Sequence, residues 1–264
     1  MRLPSLGPAI NCLSLPKTEF LSKEADCVDA KGLGKFFDSA WNAYRDLLVF
    51  DLMHHRDLFG ILVGQVQRRF QHPVSFLDLA CGDSDPARMV LGKVPVREYV
   101  GVDLAAGPLE LARANLQPFG IPAEFFAQDF LEFLGETKRE FDLILISYSI
   151  HHLGTFKKKE VFRLAKEKLS PQGIFVIIDG MRLAGQGRDA WLVQCFQYME
   201  KRSEGKIPAT FQVVKKHMGE ADFPEEGVGY EAMGREAGFK ESRLIHHDPA
   251  STFGVYLAGN GRDL

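Results

Sequence analysis

The sequence predicts an α/β fold built on a doubly wound, mostly parallel sheet of seven strands. Helices precede the first strand, and a helical insertion follows the fifth. Three observations carry this prediction. Between Val74 and Ile178, short apolar runs alternate with segments of helical periodicity, as a parallel sheet demands, because parallel neighbours must be joined by long crossovers. Before Val74, apolar residues recur only at helical spacing. After Asp179 the alternation breaks, and two helical patterns follow one another with no strand between them.

From Lys31 to Phe70, two helices are read from Phe36, Phe37, Trp41, Tyr44, Leu47 and Leu48, then from Leu52, Leu58, Leu62 and Val66. Residues 1–70 are thus expected to form a tail and capping helices, and 71–264 the α/β domain. The strand candidates are Val74–Leu79, Glu98–Val102, Ala123–Ala127, Phe141–Ile146 and Gly173–Ile178. Helices are expected to begin near Asp85, Pro108, Asp129 and Phe156, giving right-handed crossovers between the strands. The insertion, at about 181–228, contains helices over Arg188–Lys201 and Thr210–Glu220. A helix over Tyr230–Ala237 ends at Gly238, and Ser242–His247 and Thr252–Leu257 then form an antiparallel hairpin at the sheet's edge.

Composition narrows the function. With a formal net charge of −3, the chain lacks the basic bias that binding to phosphate backbones requires, so no nucleic-acid partner is expected. Cys12, Cys27, Cys81 and Cys195 lack the paired spacing of a zinc site or a disulfide framework, so they read as free thiols and no metal is expected. No apolar run has the length of a membrane span or signal core, which makes a cytoplasmic protein with no membrane partner the expectation.

The residues that carry chemistry stand at strand ends. Phe76-Leu-Asp-Leu-Ala-Cys-Gly-Asp-Ser-Asp-Pro-Ala87 closes the first strand in a glycine-bearing turn, with a helix opening beyond it. Gly82 has no Cβ, so a ligand can approach the backbone there, and the helix offers unpaired N–H groups. The next strand, Tyr99-Val-Gly-Val-Asp103, ends in a carboxylate about twenty residues after the glycine, from where an acid can accept both hydroxyls of a ribose. Alone, each acid has a plainer role: Asp78 as a brace of the turn, Asp103 as a solvated strand end.

In this order the two segments resemble the first and second motifs of class I S-adenosylmethionine-dependent methyltransferases. Ala127-Gln-Asp-Phe130 resembles the third motif, Phe141-Asp-Leu-Ile-Leu-Ile-Ser-Tyr-Ser-Ile-His-His-Leu153 the fourth, and Leu169 to Ile178 the turn and strand after it. The resemblance implies a Rossmann-like domain that takes S-adenosyl-L-methionine as cofactor. It points to Asp78, Ala80, Gly82, Asp103, Leu104, Asp129, Phe130 and Ser147 as cofactor-binding residues, although Asp129 is also placed to cap a helix. The family's turn has three glycines, whereas Ala80 and Ser84 stand at the first and third places here. Helices before the first strand close over the cofactor in related proteins, which makes Tyr44 and Arg56 candidates for its amino-acid end. A core tyrosine and a surface arginine are the plainer readings.

Ligands of open α/β sheets lie beyond the carboxyl ends of the strands, which brings Tyr148, His151 and His152 to an acceptor site as catalytic candidates. Histidine titrates near neutrality and can take a proton from a nucleophile, or the pair only shapes the pocket. Asp179 and Arg182 face the same cleft or brace its loops. Trp191, Phe196, Tyr198 and Phe211 either line an apolar lid or pack the insertion's helices. The expected reaction is methyl transfer to a small or medium-sized organic acceptor. A nicotinamide-dependent oxidoreductase shares the turn and the acid, and a nucleic-acid or protein methyltransferase or a non-methylating cofactor-binding protein shares the fold. Ser147-Tyr-Ser-Ile150 stands where amino-methylating DNA enzymes resemble one another in an Asn/Asp-Pro-Pro-aromatic segment.

Overall fold

A computed structural model of the chain describes residues 44–203, 211–248 and 253–261. The expectations for Phe36, Phe37, Trp41, Cys12 and Cys27 lie outside the described residues. Residues 44–49 are helical and lead to α1 (His55–Arg69). The alternation then runs β1 (Val74–Leu79), α2 (Ala87–Leu91), β2 (Val96–Asp103), α3 (Ala106–Leu116), β3 (Ala123–Ala127), α4 (Phe130–Glu136), β4 (Phe141–Ser147), α5 (Thr155–Lys168) and β5 (Leu169–Arg182). After it come α6 (Arg188–Arg202), α7 (Phe211–Ala221), β6 (Glu225–Glu226), α8 (Gly227–Glu236), β7 (Glu241–His247) and β8 (Phe253–Gly259).

The sheet order is β3-β2-β1-β4-β5-β8-β7, with β1 to β5 parallel and β8 antiparallel to both its neighbours. The seven expected strands form this path; β6, which pairs with the end of β5, is an eighth that two residues without periodicity could not announce. The strand order reverses between β1 and β4, and a cleft at that switch point is where ligands of such sheets sit. Strand β5 runs past the expected Ile178 because its hydrogen-bonding partners continue. Asp179 and Gly180 pair with Gly254 and Phe253 of β8, and Met181 and Arg182 pair with β6.

Side chains alternate across the sheet, so two apolar layers form. Phe76, Tyr99, Leu143, Leu145 and Val176 face Leu58, Leu62 and Val66 of α1. Leu77, Val100, Ile144, Ile146 and Phe175 face Phe133, Val161, Phe162 and Tyr230. Helix α1 therefore belongs to the sheet's own core. Among the described residues no helix is long and apolar enough to cross a membrane, and Cys81 and Cys195 are buried and not in a disulfide.

Helix α8 seats closest to the sheet at Gly234, where a Cβ would stand 2.1 Å from Tyr256 Oη and 2.3 Å from Ser242 Oγ. Tyr256 is fully buried and its hydroxyl is paired with Ser242 Oγ at 2.8 Å, so neither atom can withdraw. Gly234→Ala is expected to destabilise the protein by about 3 kcal/mol, the upper end of ordinary overpacking, in spite of alanine's better helix propensity. Urea unfolding measures this, and an unchanged midpoint would show that α8 can lift off the sheet at no cost.

Candidate active site

The turn after β1 resolves the departure noted at Ala80 and Ser84. Ala80, Gly82 and Ser84 have φ of 56°, 54° and 56°, so all three adopt the left-handed conformation although only one is glycine. That conformation costs an L-residue about 1–2 kcal/mol, so the surroundings must hold it. Cys81 N–H donates to Val102 O at 3.1 Å, Ser84 N–H to Cys81 O at 2.8 Å, and Ser84 Oγ pairs with Tyr99 Oη at 2.9 Å. The backbone path of a three-glycine turn is thus kept by hydrogen bonds.

Asp78 lies under this turn, almost fully buried, and accepts from Tyr99 Oη at 2.7 Å, while its Oδ1 is buried without a hydrogen-bond partner. Burial raises its carboxyl to about 7, against the opposing pull of the Tyr99 hydrogen bond. A carboxyl with a folded pKa above its unfolded value, here 3.8, binds its proton more tightly when folded, so stability falls as pH rises from about 4 to about 7. Asp78→Asn removes that ionisation and keeps an acceptor for Tyr99. We expect the variant to be more stable than the parent at pH 8 by a few kcal/mol, and to lose this advantage at pH 4. Equal unfolding midpoints at pH 8 would show that the charge is compensated.

Asp103 ends β2 half-buried, accepting from Gly82 N–H with Oδ2 and from Ala105 N–H with Oδ1, each at 2.8 Å. The carboxylate therefore locks the turn to the start of α3. Leu104 follows it, half-buried. Asp129 has N-cap geometry, its Oδ1 accepting from Leu131 N–H at 2.7 Å and Glu132 N–H at 3.4 Å. Phe130 beside it is buried in the second core layer. Ser147 is the last residue of β4, level with Ile178.

Beyond β4 and β5 lies a mostly apolar cavity of about 90 Å³ that Tyr44, Tyr148, His151, His152 and Trp191 help to line. Tyr44 reaches it from residues 44–49; burial first, then the charges of Asp83, Asp78 and Asp103, push its phenol well above the ordinary range. Tyr44 thus links the turn to the cavity. Arg56 is not with it. It stands on the exposed face of α1, whose other face buries Leu58, Phe59 and Leu62, and it borders a separate surface hollow with Arg45, His55, Asp83 and Asp85. Tyr148 donates its hydroxyl to Met53 O at 3.0 Å, which ties the segment before α1 to the sheet and gives this residue a bracing role.

His151 and His152 occupy a 3₁₀ turn, Ile150–His152, directly after β4. His151 Nδ1 is bonded to Asp179 Oδ1, and its own N–H donates to Asp179 Oδ2 at 3.1 Å. Burial opposes a charge on His151, yet Asp179 and Asp222 outweigh it and raise the imidazole to about 9. His152 is driven the other way by burial and by His151, and its Nδ1 lies 3.2 Å from Ala221 O. Asp222 and His217, from the end of the insertion, complete the cluster; burial raises Asp222 and lowers His217 to about 4.

Sequence reasoning missed these two residues. A signal was present in Asp222-Phe-Pro-Glu225, which closes α7 and whose Phe223 N–H donates to His151 O at 2.7 Å. Arg182 braces instead of facing a ligand, donating to Pro224 O at 2.9 Å and to Gln186 O. Of the insertion's aromatics, Trp191 lines the cavity, Tyr198 stacks on His54 at 4.7 Å, and Phe196 and Phe211 flank Lys215.

The chain thus combines a Rossmann-like sheet, a left-handed turn at its switch point and an acid at the end of the next strand. Residues 76–173 match the methyltransferase domain family. Over those residues the chain is similar to methyltransferase domains, in agreement with the order of its motifs. It is 30% identical over 109 residues to a demethylmenaquinone methyltransferase of Thermus thermophilus, covering 40% of this chain and 47% of that protein. It is 32% identical over 139 residues to the uncharacterised methyltransferase YcgJ of Bacillus subtilis, covering 52% and 50%. The chain thus spans about half the length of the curated relatives it matches.

Two solved structures share the fold over most of both chains. The Burkholderia thailandensis 1,6-didemethyltoxoflavin-N1-methyltransferase, with substrate and S-adenosylhomocysteine bound, is 18% identical with a TM-score of 0.58, covering 86% of each chain. The plantazolicin methyltransferase BpumL, with a substrate analogue and S-adenosylhomocysteine, is 14% identical with a TM-score of 0.59, covering 88% of this chain and 95% of that one.

Proposed function

We propose that this protein transfers a methyl group from S-adenosyl-L-methionine to a small organic acceptor held in the cavity beyond β4 and β5. The observation that carries the reading is Tyr44, which lines that cavity while lying within the electrostatic reach of Asp78, Asp83 and Asp103 at the turn. Cofactor turn and acceptor cavity are thereby adjacent. The fit of the cofactor rests on the left-handed turn at Ala80, Gly82 and Ser84 and on Asp103, whose two oxygens are fixed at the end of β2 by N–H donors. Asp103 would take the ribose hydroxyls, Asp129 and Phe130 would border the adenine, and Gly82 would let the amino-acid end approach the backbone. When bound, the cofactor supplies a sulfonium-activated methyl group.

The chain's own part is to hold the acceptor in line, and positioning of this kind is worth up to about 7–11 kcal/mol in the best cases. The apolar walls admit an organic body and exclude water, and His151, His152 and Asp222 present the polar end that an acceptor hydroxyl, thiol or N–H would meet. Asp179 acts as a positioning residue through His151 Nδ1.

Calorimetric titration with S-adenosylmethionine and S-adenosylhomocysteine, with NADH as control, tests the cofactor half. Mass spectrometry of an acceptor panel tests the transfer. NADH binding in preference to S-adenosylhomocysteine would replace this reading with an oxidoreductase, and tight cofactor binding without any methylated product would leave a cofactor-binding protein.

A further inference from the structure

Asp222 has surroundings unlike those of an ordinary buried acid. Its Oδ1 is buried and accepts no hydrogen bond, yet it stands 3.5 Å from His151 Nε2. A ring nitrogen of His151, a ring nitrogen of His152 and a carboxylate oxygen of Asp222 all lie within 4.8 Å of one another. An acceptor buried without a donor is costly, and a second buried carboxylate, Asp179, lies on the far side of His151. The nearby cationic side chains are engaged elsewhere. Arg188 donates to the carbonyls of Asp222, Met218 and Gly219, and Lys158 to Phe223 O and Glu225.

We propose that His151, His152 and Asp222 bind a divalent transition-metal ion of the zinc class at the polar end of the cavity, with a coordination position open to the acceptor. Two histidines and one carboxylate suit zinc, cobalt or iron in preference to magnesium or calcium. Two ligands of a tetrahedral ion, each roughly 2.0–2.2 Å from it, stand about 3.4 Å apart, and His151 Nε2 and Asp222 Oδ1 are separated by 3.5 Å.

The outer surroundings fit as well. His151 is backed through Nδ1 by a fully buried carboxylate, the arrangement that fixes a metal-binding ring and leaves Nε2 as its ligand atom. Asp222 is held by its own backbone, since Arg188 Nε donates to its carbonyl at 2.6 Å and the next residue, Phe223, donates to His151 O at 2.7 Å. Only the chemical consequence rests on the methyl-transfer reading: an acceptor hydroxyl, carbonyl or thiol bound at the open position would be held and, where protonated, acidified.

The test uses untagged, chelator-stripped protein dialysed against Zn²⁺ alone and, separately, Co²⁺ alone. One ion per chain is expected, with the intense visible absorption of tetrahedral Co²⁺. Asp222→Asn and His151→Gln are each expected to weaken Zn²⁺ binding at least 30-fold in protein that circular dichroism shows to be folded. His217→Gln, beside the site with Nε2 3.9 Å from Asp222 Oδ1 but not one of its ligands, should change it less than threefold. The Co²⁺ spectrum of the parent needs no variant to fold. Absence of stoichiometric binding, an octahedral Co²⁺ spectrum, or Zn²⁺ affinity equal to the parent's in both ligand variants overturns the proposal. S-adenosylhomocysteine titration in parallel separates the two readings, since its failure with Zn²⁺ binding intact would strike only the methyl-transfer function.

Discussion

Asp103→Ala is expected to weaken S-adenosylhomocysteine binding by about 100-fold, close to 3 kcal/mol, the largest effect of any single change at the cofactor turn. Two losses combine. Under the proposed function, the carboxylate would no longer receive two ribose hydroxyls, each a hydrogen bond to a charged group worth about 1.5–3 kcal/mol. The N–H groups of Gly82 and Ala105 would also lose their acceptor, freeing a turn whose left-handed residues Ala80 and Ser84 are held only by such bonds. Isothermal titration of the variant beside the parent measures the change. A loss of less than threefold would mean that Asp103 serves the turn alone, and the cofactor reading would then have to rest elsewhere.

The turn also shows what sequence can and cannot convey about this protein. Strands β1 to β4 were legible because each is a short apolar run, and their parallel, doubly wound arrangement followed from the crossover helices. The left-handed path at Ala80 and Ser84 was not, because glycine is the only residue that announces it. The true end of β5 was hidden for a different reason: its last hydrogen bonds go to β8 and β6, whose partners stand far along the chain. Of the candidate site, Asp78, Gly82, Asp103 and the two histidines were visible as strand-end positions in series. Asp222 and His217 were not, since the insertion that carries them has helical periodicity of its own and its approach to His151 is a tertiary event. Arg56 looked suited to a carboxylate by chemistry, but the buried stripe of α1 turns it outward.

Asp179→Ala is expected to have the largest effect on stability, a loss of about 3–5 kcal/mol, because it removes one member of a buried, hydrogen-bonded charge pair and leaves the other. Asp179 is fully buried and accepts from His151 N–H at 3.1 Å and Gly180 N–H at 2.7 Å as well as from the His151 ring. Alanine strands all three donors and opens a void under the cavity floor. For a domain of this size the loss corresponds to a melting point lower by about 10 °C. Asp179→Asn keeps the shape and an acceptor oxygen, so it should cost clearly less in stability while still releasing the His151 ring from its charged partner. Under the proposed function, the asparagine variant should lower kcat more than it raises KM for the acceptor, because ring orientation matters at the reacting geometry more than in initial binding. Equal melting points for the two variants would show that the carboxylate's charge contributes nothing to the fold. An unchanged kcat in Asp179→Asn would remove His151 from the reacting geometry altogether.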